Sequence, residues 1–272
     1  MIISDQPHGR EGPLRDLSTH WQMFVRLVPR DVQARYLGST FGVLWSFASS
    51  LLILLAYWFF LGVVLQAKWG SAPSVQYPVI LFSGLILHQF FAEVIGRAPS
   101  LIIANSAYVR KVVFPVQVLP WVTVATATFH LVVNLLILLL GQLMILHQVP
   151  LTWLWLPVVI LPLLPMTVGI SWVVSSLGVY LRDIAHIVPL VLTVMMFLSP
   201  IFYSMDMVPE QFRPWLMINP LTVVMEQARR VAIQGLQPDF ILLGAYSLVS
   251  VAIMAGGYWW FARTKKGFAD VL

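Results

Sequence analysis

No cysteine occurs among the 272 residues, so disulfides, thiolate nucleophiles and cysteine-ligated metals are excluded. Charge is the next scarcity: Asp, Glu, Lys and Arg make up 10% of the chain, and none lies between Val112 and Leu181. A soluble domain carries about 25% charged residues, whereas this chain is 59% hydrophobic with a mean hydropathy of +0.85. That apolar surface exceeds what one water-soluble core can hide, so the chain reads as an integral membrane protein. The Gly-x-x-x-x-Gly-Lys-[Ser/Thr] phosphate loop is also missing, and any ATP-driven work therefore needs another subunit. The six histidines show no paired ligand spacing, which argues against a metal site. The eleven acidic residues are scattered, not gathered at one interface as a membrane glycosyltransferase or phosphotransferase requires. No residue is assigned a catalytic role.

What the chain has is long uncharged runs. They cover 42–65, 78–96, 116–146, 153–179, 187–203 and 240–262, and each is expected to be a membrane-spanning helix. The second reaches span length only by extending through Glu93 to Gly96. "HQVPLT" (His147 to Thr152) is the expected turn between the third and fourth, and Pro157, Pro162, Pro165 and Pro189 are expected kinks. Twelve of the sixteen Lys and Arg residues fall on one side of this arrangement; Lys68, Arg213, Arg229 and Arg230 fall on the other. The positive-inside rule makes the side with twelve cytoplasmic, with both termini there. The opening residues lack the apolar core of a signal peptide, in keeping with that orientation. The net charge of +5 forms no Lys/Arg-rich run, so it reads as topological and not as a nucleic-acid surface.

Before the first span, Leu14, Leu17, Trp21, Phe24, Val25, Val28 and Val32 recur at helical spacing. An amphipathic helix over 14–37, interrupted near Pro29, is expected at the membrane surface or packed on the spans. Between the fifth and sixth spans, apolar pieces too short to cross are punctuated by Pro200, Pro209, Pro214 and Pro220. Short re-entrant helices are expected there. The fold class is therefore an all-α membrane protein in one domain, 1–272.

The intramembrane polar residues are His88, Glu93, His130 and Asn134. Glu93 and Arg97 are expected to pair four residues apart on one helix, and His130 and Asn134 to hydrogen-bond to a neighbouring helix or, alternatively, to relay protons. Aromatic residues crowd the spans, among them Trp45, Tyr57 and Trp58 on the first and Phe197, Phe202 and Tyr203 on the fifth. They serve either as interface anchors or as faces on which sugar rings slide.

Five stretches in order, "RDVQARYLGSTFGVLWSF", "FSGLILHQFFAEVIGRAPSLIIANSAYVRKVVFPVQVLP", "YLRDIAHIVPLVLTVMMFLSPIFYS", "NPLTVVMEQARRVAIQG" and "FARTKKGFADVL", resemble the permease subunits of ABC-type polysaccharide exporters. The likeness is to the O-antigen permease Wzm and teichoic acid permease TagG family. It departs at Phe114-Pro115-Val116-Gln117, where a charged residue is expected. The resemblance implies a homodimer in the bacterial inner membrane, surrounded by lipid and bound to a separate ATP-binding subunit that carries ATP and Mg. It implies export of a lipid-linked polysaccharide from the cytoplasmic face, through a channel to which Trp45, Tyr57, Trp58, Phe197 and Tyr203 are assigned. An outer gate would include Pro200, Phe202, Pro209, Trp215, Asn219 and Pro220. Asn105, Tyr108, Val109, Arg110, Lys111 and Phe114 would form the ATPase-coupling contact, with Asn105 as N-cap of a short helix. Teichoic acid or capsule export is the alternative within the family; a proton-coupled secondary transporter using His88, Glu93 and His130 is the alternative outside it.

Overall fold

The computed structural model describes residues 12–42, 44–69, 76–106 and 114–271, and among them the only regular structure is helical. Two N-terminal helices, α1 (Pro13–Thr19) and α2 (Trp21–Ala34), precede α3 (Leu44–Tyr57), which continues into π-wound turns at Trp58–Val64. Next come α4 (Tyr77–Ala104), α5 (Val118–Ile145), α6 (Leu156–Ile160), α7 (Leu163–Tyr180) and α8 (Ile184–Leu198). Two short helices, α9 (Arg213–Met217) and α10 (Thr222–Ala232), lead to α11 (Phe240–Thr264) and α12 (Phe268–Val271).

Five stretches are long and apolar enough to cross a membrane: Leu44–Val64, Tyr77–Ala104, Val118–Ile145, Leu151–Tyr180 and Phe240–Gly267. The expected fifth span, 187–203, appears as the 15-residue α8, about 22 Å long at 1.5 Å per residue against a core of about 30 Å. It stops at Leu198 because Ser199, which precedes Pro200, adopts extended φ −90, ψ 147. The expected second span is also corrected: α4 continues eight residues beyond Gly96, because its charged positions meet protein partners and not lipid. The turn at His147 is present, with His147 in the left-handed region at φ 54. The break expected at Pro29 is absent. α2 runs through it, held against α5, and the interruption falls at His20.

α4 is the hub of the bundle, packed on α3, α5, α7, α8 and α10. Lipid is as apolar as leucine, so burial does not by itself bring spans together; small residues that let backbones approach do. Gly178 lies against the backbone of Pro99 on α4, and Gly257 against the backbone of Gly169, joining α7 to α4 on one side and to α11 on the other. In contrast the first span, Leu44–Val64, is only 11% buried, and Trp45, Leu52, Phe59 and Phe60 along it are exposed.

Candidate functional site

The charged residues of α4 are matched to the N-terminal segment. Arg97 donates two hydrogen bonds to Asp31, Nη1 to Oδ2 at 2.9 Å and Nη2 to Oδ1 at 2.7 Å. One helical turn away on each element, Arg35 Nη2 lies 3.0 Å from Glu93 Oε1. The pairing expected between Glu93 and Arg97 is thus replaced by two pairs across the helices. Each ion finds a carboxylate or guanidinium on a facing helix, where bidentate geometry is reachable; neighbours on one helix do not offer it. Burial opposes the Asp31 charge, but the Arg97 guanidinium outweighs it and holds the carboxyl below its ordinary value. The sign follows: this contribution is complete above the unfolded Asp value of about 3.9 and is lost as pH falls through the lower folded value. A double-mutant cycle on Asp31→Asn and Arg97→Gln is expected to give a coupling of about 1 kcal/mol at neutral pH, modest because the pair is partly exposed. Unfolding measured in detergent checks it, and additivity at neutral pH would refute the clasp.

Beside the second pair, His130 Nδ1 lies 2.9 Å from Glu93 Oε1 and Nε2 lies 3.1 Å from the Tyr36 hydroxyl. The same Nδ1 also lies 3.1 Å from Arg35 Nη1, so Arg35, Tyr36, Glu93 and His130 form one polar network across α4, α5 and the segment after α2. These groups form one wall of a cavity of ≈ 500 Å³ between α3 and the α4–α5 pair. From α3 come Trp45 and the hydroxyls of Ser46, Ser49 and Ser50; from α4 come Gln89 and Phe90; from α5 comes Asn134. Asn134 is 7% exposed, and its Oδ1 has no hydrogen-bond partner among the described residues. The Ser49 hydroxyl donates to the Ser46 carbonyl at 3.1 Å. With hydroxyls, amides and aromatic faces gathered around a compensated ion pair, the arrangement is suited to holding a polar molecule. Among the described residues no group of three His, Asp or Glu is placed to hold a metal ion.

A second polar cluster lies where α1 meets α11. Asp16 is 6% exposed, and its Oδ2 accepts hydrogen bonds from Tyr258 Oη at 2.5 Å and Gln117 Nε2 at 3.0 Å. The Gln117 Oε1 faces Lys265 Nζ at 3.4 Å, and the Gln117 backbone carbonyl accepts from Trp172 Nε1 at 3.1 Å. This accounts for the neutral residue at 117. An acid there would face Asp16 and a base would face Lys265, whereas an amide offers a donor to one and an acceptor to the other. The cluster anchors the chain directly after Phe114 and Pro115.

Of the expected coupling residues, Tyr108, Val109, Arg110 and Lys111 lie outside the described residues. Asn105 forms the C-cap of α4, its Nδ2 donating back to the Leu101 carbonyl at 2.8 Å, and Phe114 packs partly buried against the core. The residues assigned to a channel fall into separate places in one chain. Trp45 lines the cavity, Tyr57 and Trp58 lie further along the first span, and at the end of α8 the Tyr203 hydroxyl donates to the Phe197 carbonyl at 3.2 Å. His88 is separated from Glu93 and His130 in role, since it donates to the Leu192 carbonyl of α8 at 3.1 Å.

The residues assigned to an outer gate knit one segment together. Phe202 stacks on Phe197 at 5.8 Å, and Asn219 Nδ2 donates to Ser199 Oγ at 2.8 Å next to buried Pro200. The Pro220 carbonyl accepts from Tyr246 at 2.8 Å. Pro209 begins the turn at Glu210–Phe212, and Trp215 is exposed. Nearby, the buried Arg229 pairs with Glu226 at 3.0 Å and lies 4.5 Å from the Trp69 ring centroid, where the ring face supplies a partner for the desolvated cation. Gly84 of α4 leaves room for that guanidinium, since a Cβ there would stand 2.5 Å from its Nη2.

Sequence reasoning passed over Asp16, Arg35, Tyr36, Gln89 and the serines. The spacing of Ser46, Ser49 and Ser50 does mark one helix face and was available as a signal. Nothing in the sequence marks Asp16, an ordinary charged residue of an amphipathic helix.

Similarity to known proteins bears on this architecture. The family model described as "ABC-2 type transporter" matches residues 22–233. An O-antigen export system permease protein RfbA of Myxococcus xanthus is 31% identical over 262 residues, covering 94% of this chain and 98% of its own. One of the same name from Klebsiella pneumoniae is 28% identical over 259 residues, covering 93% and 95%. The polysialic acid transport protein KpsM of Escherichia coli is 22% identical over 236 residues, covering 83% and 86%.

Proposed function

The chain belongs to the ABC-2 type transporter family, and from that premise we propose that it is the permease subunit of an ATP-driven polysaccharide exporter of the O-antigen type. The observation that carries this reading is end-to-end similarity to permeases named for O-antigen export, at 31% and 28% identity. The 22% identity to a polysialic acid transport protein keeps capsule export as the second reading. A proton-coupled transporter draws on His88, Glu93 and His130, but His88 is committed to α8.

In this reading a lipid-linked glycan enters from the cytoplasmic face of the inner membrane and leaves on the periplasmic face. Two copies form the channel, and a separate ATPase binds ATP and Mg. The exposed α3 faces the second copy or lipid. α8 with the turns after it makes the fifth of six crossings, and both termini are cytoplasmic. α1 and α2 lie at the interface, where exposed Leu14, Trp21 and Val25 meet lipid while Asp31 and Arg35 turn toward α4. α9 and α10 form a re-entrant outer gate. Support for the last point is that α10 buries Val223, Val224, Met225 and Val231 against its neighbours instead of forming a separate domain.

The 105–114 segment carries the contact with the ATPase. Tyr108→Ala is expected to leave the permease in the membrane but abolish glycan export and glycan-stimulated ATP hydrolysis. Cysteine at 108 should crosslink to the ATPase and stay unlabelled by an impermeant maleimide in spheroplasts, while cysteine at 210 should be labelled. Full export by Tyr108→Ala together with outside labelling at 108 would reject both coupling and orientation.

A further inference from the structure

We propose that the end of α11 holds the headgroup of an anionic phospholipid, with the Arg263 guanidinium on its phosphate and the Trp259 indole fixing that guanidinium in place. The inference draws on the membrane-spanning helices and not on what the protein transports.

Arg263 carries the argument. Its Cζ lies 4.1 Å from the centroid of the Trp259 ring, where the ring face attracts the cation. Stacking of this kind occupies the flat face of the guanidinium and leaves its edge, which carries the N–H donors, open. Among the described residues the arginine ion pairs are Arg35 with Glu93, Arg97 with Asp31 and Arg229 with Glu226; none includes Arg263. The turn that presents it is tied to α7 from behind. Trp260 Nε1 donates to Ser176 Oγ at 2.8 Å, and the Tyr180 hydroxyl donates to the Thr264 carbonyl at 2.8 Å. A positioned guanidinium with its donors unspent is suited to bidentate bonding of a phosphate.

Depth identifies the source of that phosphate. Phe240–Gly267 is long and apolar enough to cross a membrane, and Trp259, 54% exposed, sits about two turns from its end, the level at which indoles collect against lipid headgroups. Exposed Leu248, Ala252, Ala255 and Trp259 recur at steps of three and four and lead along one helix face to Arg263 and Lys266. From Leu248 to Arg263 the axis advances about 22 Å, so a phospholipid whose chains lie on this strip brings its phosphate to the two cations. A protein partner fits less well, because Trp259 and the strip below it belong to the bilayer. α11 packs on α7 and α10, whereas α3 packs on α4 and α5. The occupant is therefore a resident of the surrounding bilayer, apart from the first span.

Charge selects the headgroup. Lys265 turns inward to Gln117 Oε1 at 3.4 Å, and beyond the end of α7 the exposed Arg182 and Asp183 offset each other. Arg263 and Lys266, both exposed, set the sign of the potential on this face of α11. A zwitterionic headgroup brings an ammonium beside its phosphate, which these cations repel; an anionic one does not.

Native mass spectrometry of the purified full-length permease, equilibrated with equal amounts of dioleoyl phosphatidylglycerol and dioleoyl phosphatidylcholine, tests this. One phosphatidylglycerol per chain is expected to stay bound, enriched about tenfold over phosphatidylcholine. Arg263→Gln is expected to lower the enrichment about fivefold, the effect of one basic residue at an anionic surface. Trp259→Leu keeps every charge but removes the stack, and is expected to lower it severalfold. Lys68→Gln removes the same charge from an exposed position beyond the other end of the membrane-spanning first helix and should leave the enrichment unchanged. All variants lie on exposed positions and are compared with wild type for monodispersity. Equal retention of the two lipids by wild type would overturn the proposal, as would undiminished enrichment in Arg263→Gln and Trp259→Leu or an equal loss in Lys68→Gln. Displacement of the lipid by inorganic phosphate would show a site for free anions instead. If wild type shows no enrichment and Arg263→Gln instead releases a co-purifying protein, the cations serve a protein partner and the lipid site is rejected.

Discussion

Replacement of Asp16 by alanine is expected to destabilise the permease by about 3 kcal/mol, because it removes two hydrogen bonds to one buried carboxylate. The Tyr258 hydroxyl and the Gln117 amide both point at that oxygen, and both side chains are buried. The functional effect is expected to exceed the stability effect. Gln117 follows Phe114 and Pro115, so loosening it frees the end of the 105–114 segment through which the ATPase is proposed to act. Glycan-stimulated ATP hydrolysis should fall well below wild type, while basal hydrolysis by the ATPase persists. Thermal unfolding in detergent and the ratio of stimulated to basal hydrolysis check the two parts. Asp16→Asn, which retains one acceptor oxygen, should recover part of both. A wild-type melting profile for Asp16→Ala would show that the cluster contributes nothing.

Gly257→Leu is expected to prevent assembly of the folded protein. A side chain at 257 would enter the backbone of Gly169, forcing α7 and α11 apart along their contact. Overpacking commonly costs about 1–3 kcal/mol where side chains can move aside, and here the obstacle is backbone. The neighbouring Gly256 supplies the control, since a Cβ there meets nothing within 4 Å. Gly256→Leu should therefore behave as wild type. Size-exclusion profiles of fluorescently tagged variants are the measurement: a monodisperse Gly257→Leu peak would refute close approach at this point. Gly178→Leu, against Pro99 of α4, should resemble Gly257→Leu.

Much of the architecture is legible from hydrophobic run length alone. A backbone in lipid must satisfy its own hydrogen bonds, so an uncharged run of about 20 residues has one common solution, a helix. That argument finds the five long helices, the turn at His147 and the short helices after Pro200. The cavity was partly legible too: Trp45, Glu93, His130 and Asn134 were each singled out from type and depth, though not as neighbours.

What the tertiary structure decided is which of these residues meet. Helical periodicity tells which positions share a face, and on that basis Glu93 and Arg97 are partners; it carries no information about the helix that faces them. Here α2 places Asp31 and Arg35 opposite, and both ions change partner. Asp16 is an ordinary charge on an amphipathic helix until α1, α5 and α11 close over it. Gly257 is one glycine among sixteen until α7 arrives. In lipid the pairing of spans depends on complementary shape and a few polar contacts, and complementarity belongs to two surfaces together, so no single run of residues contains it.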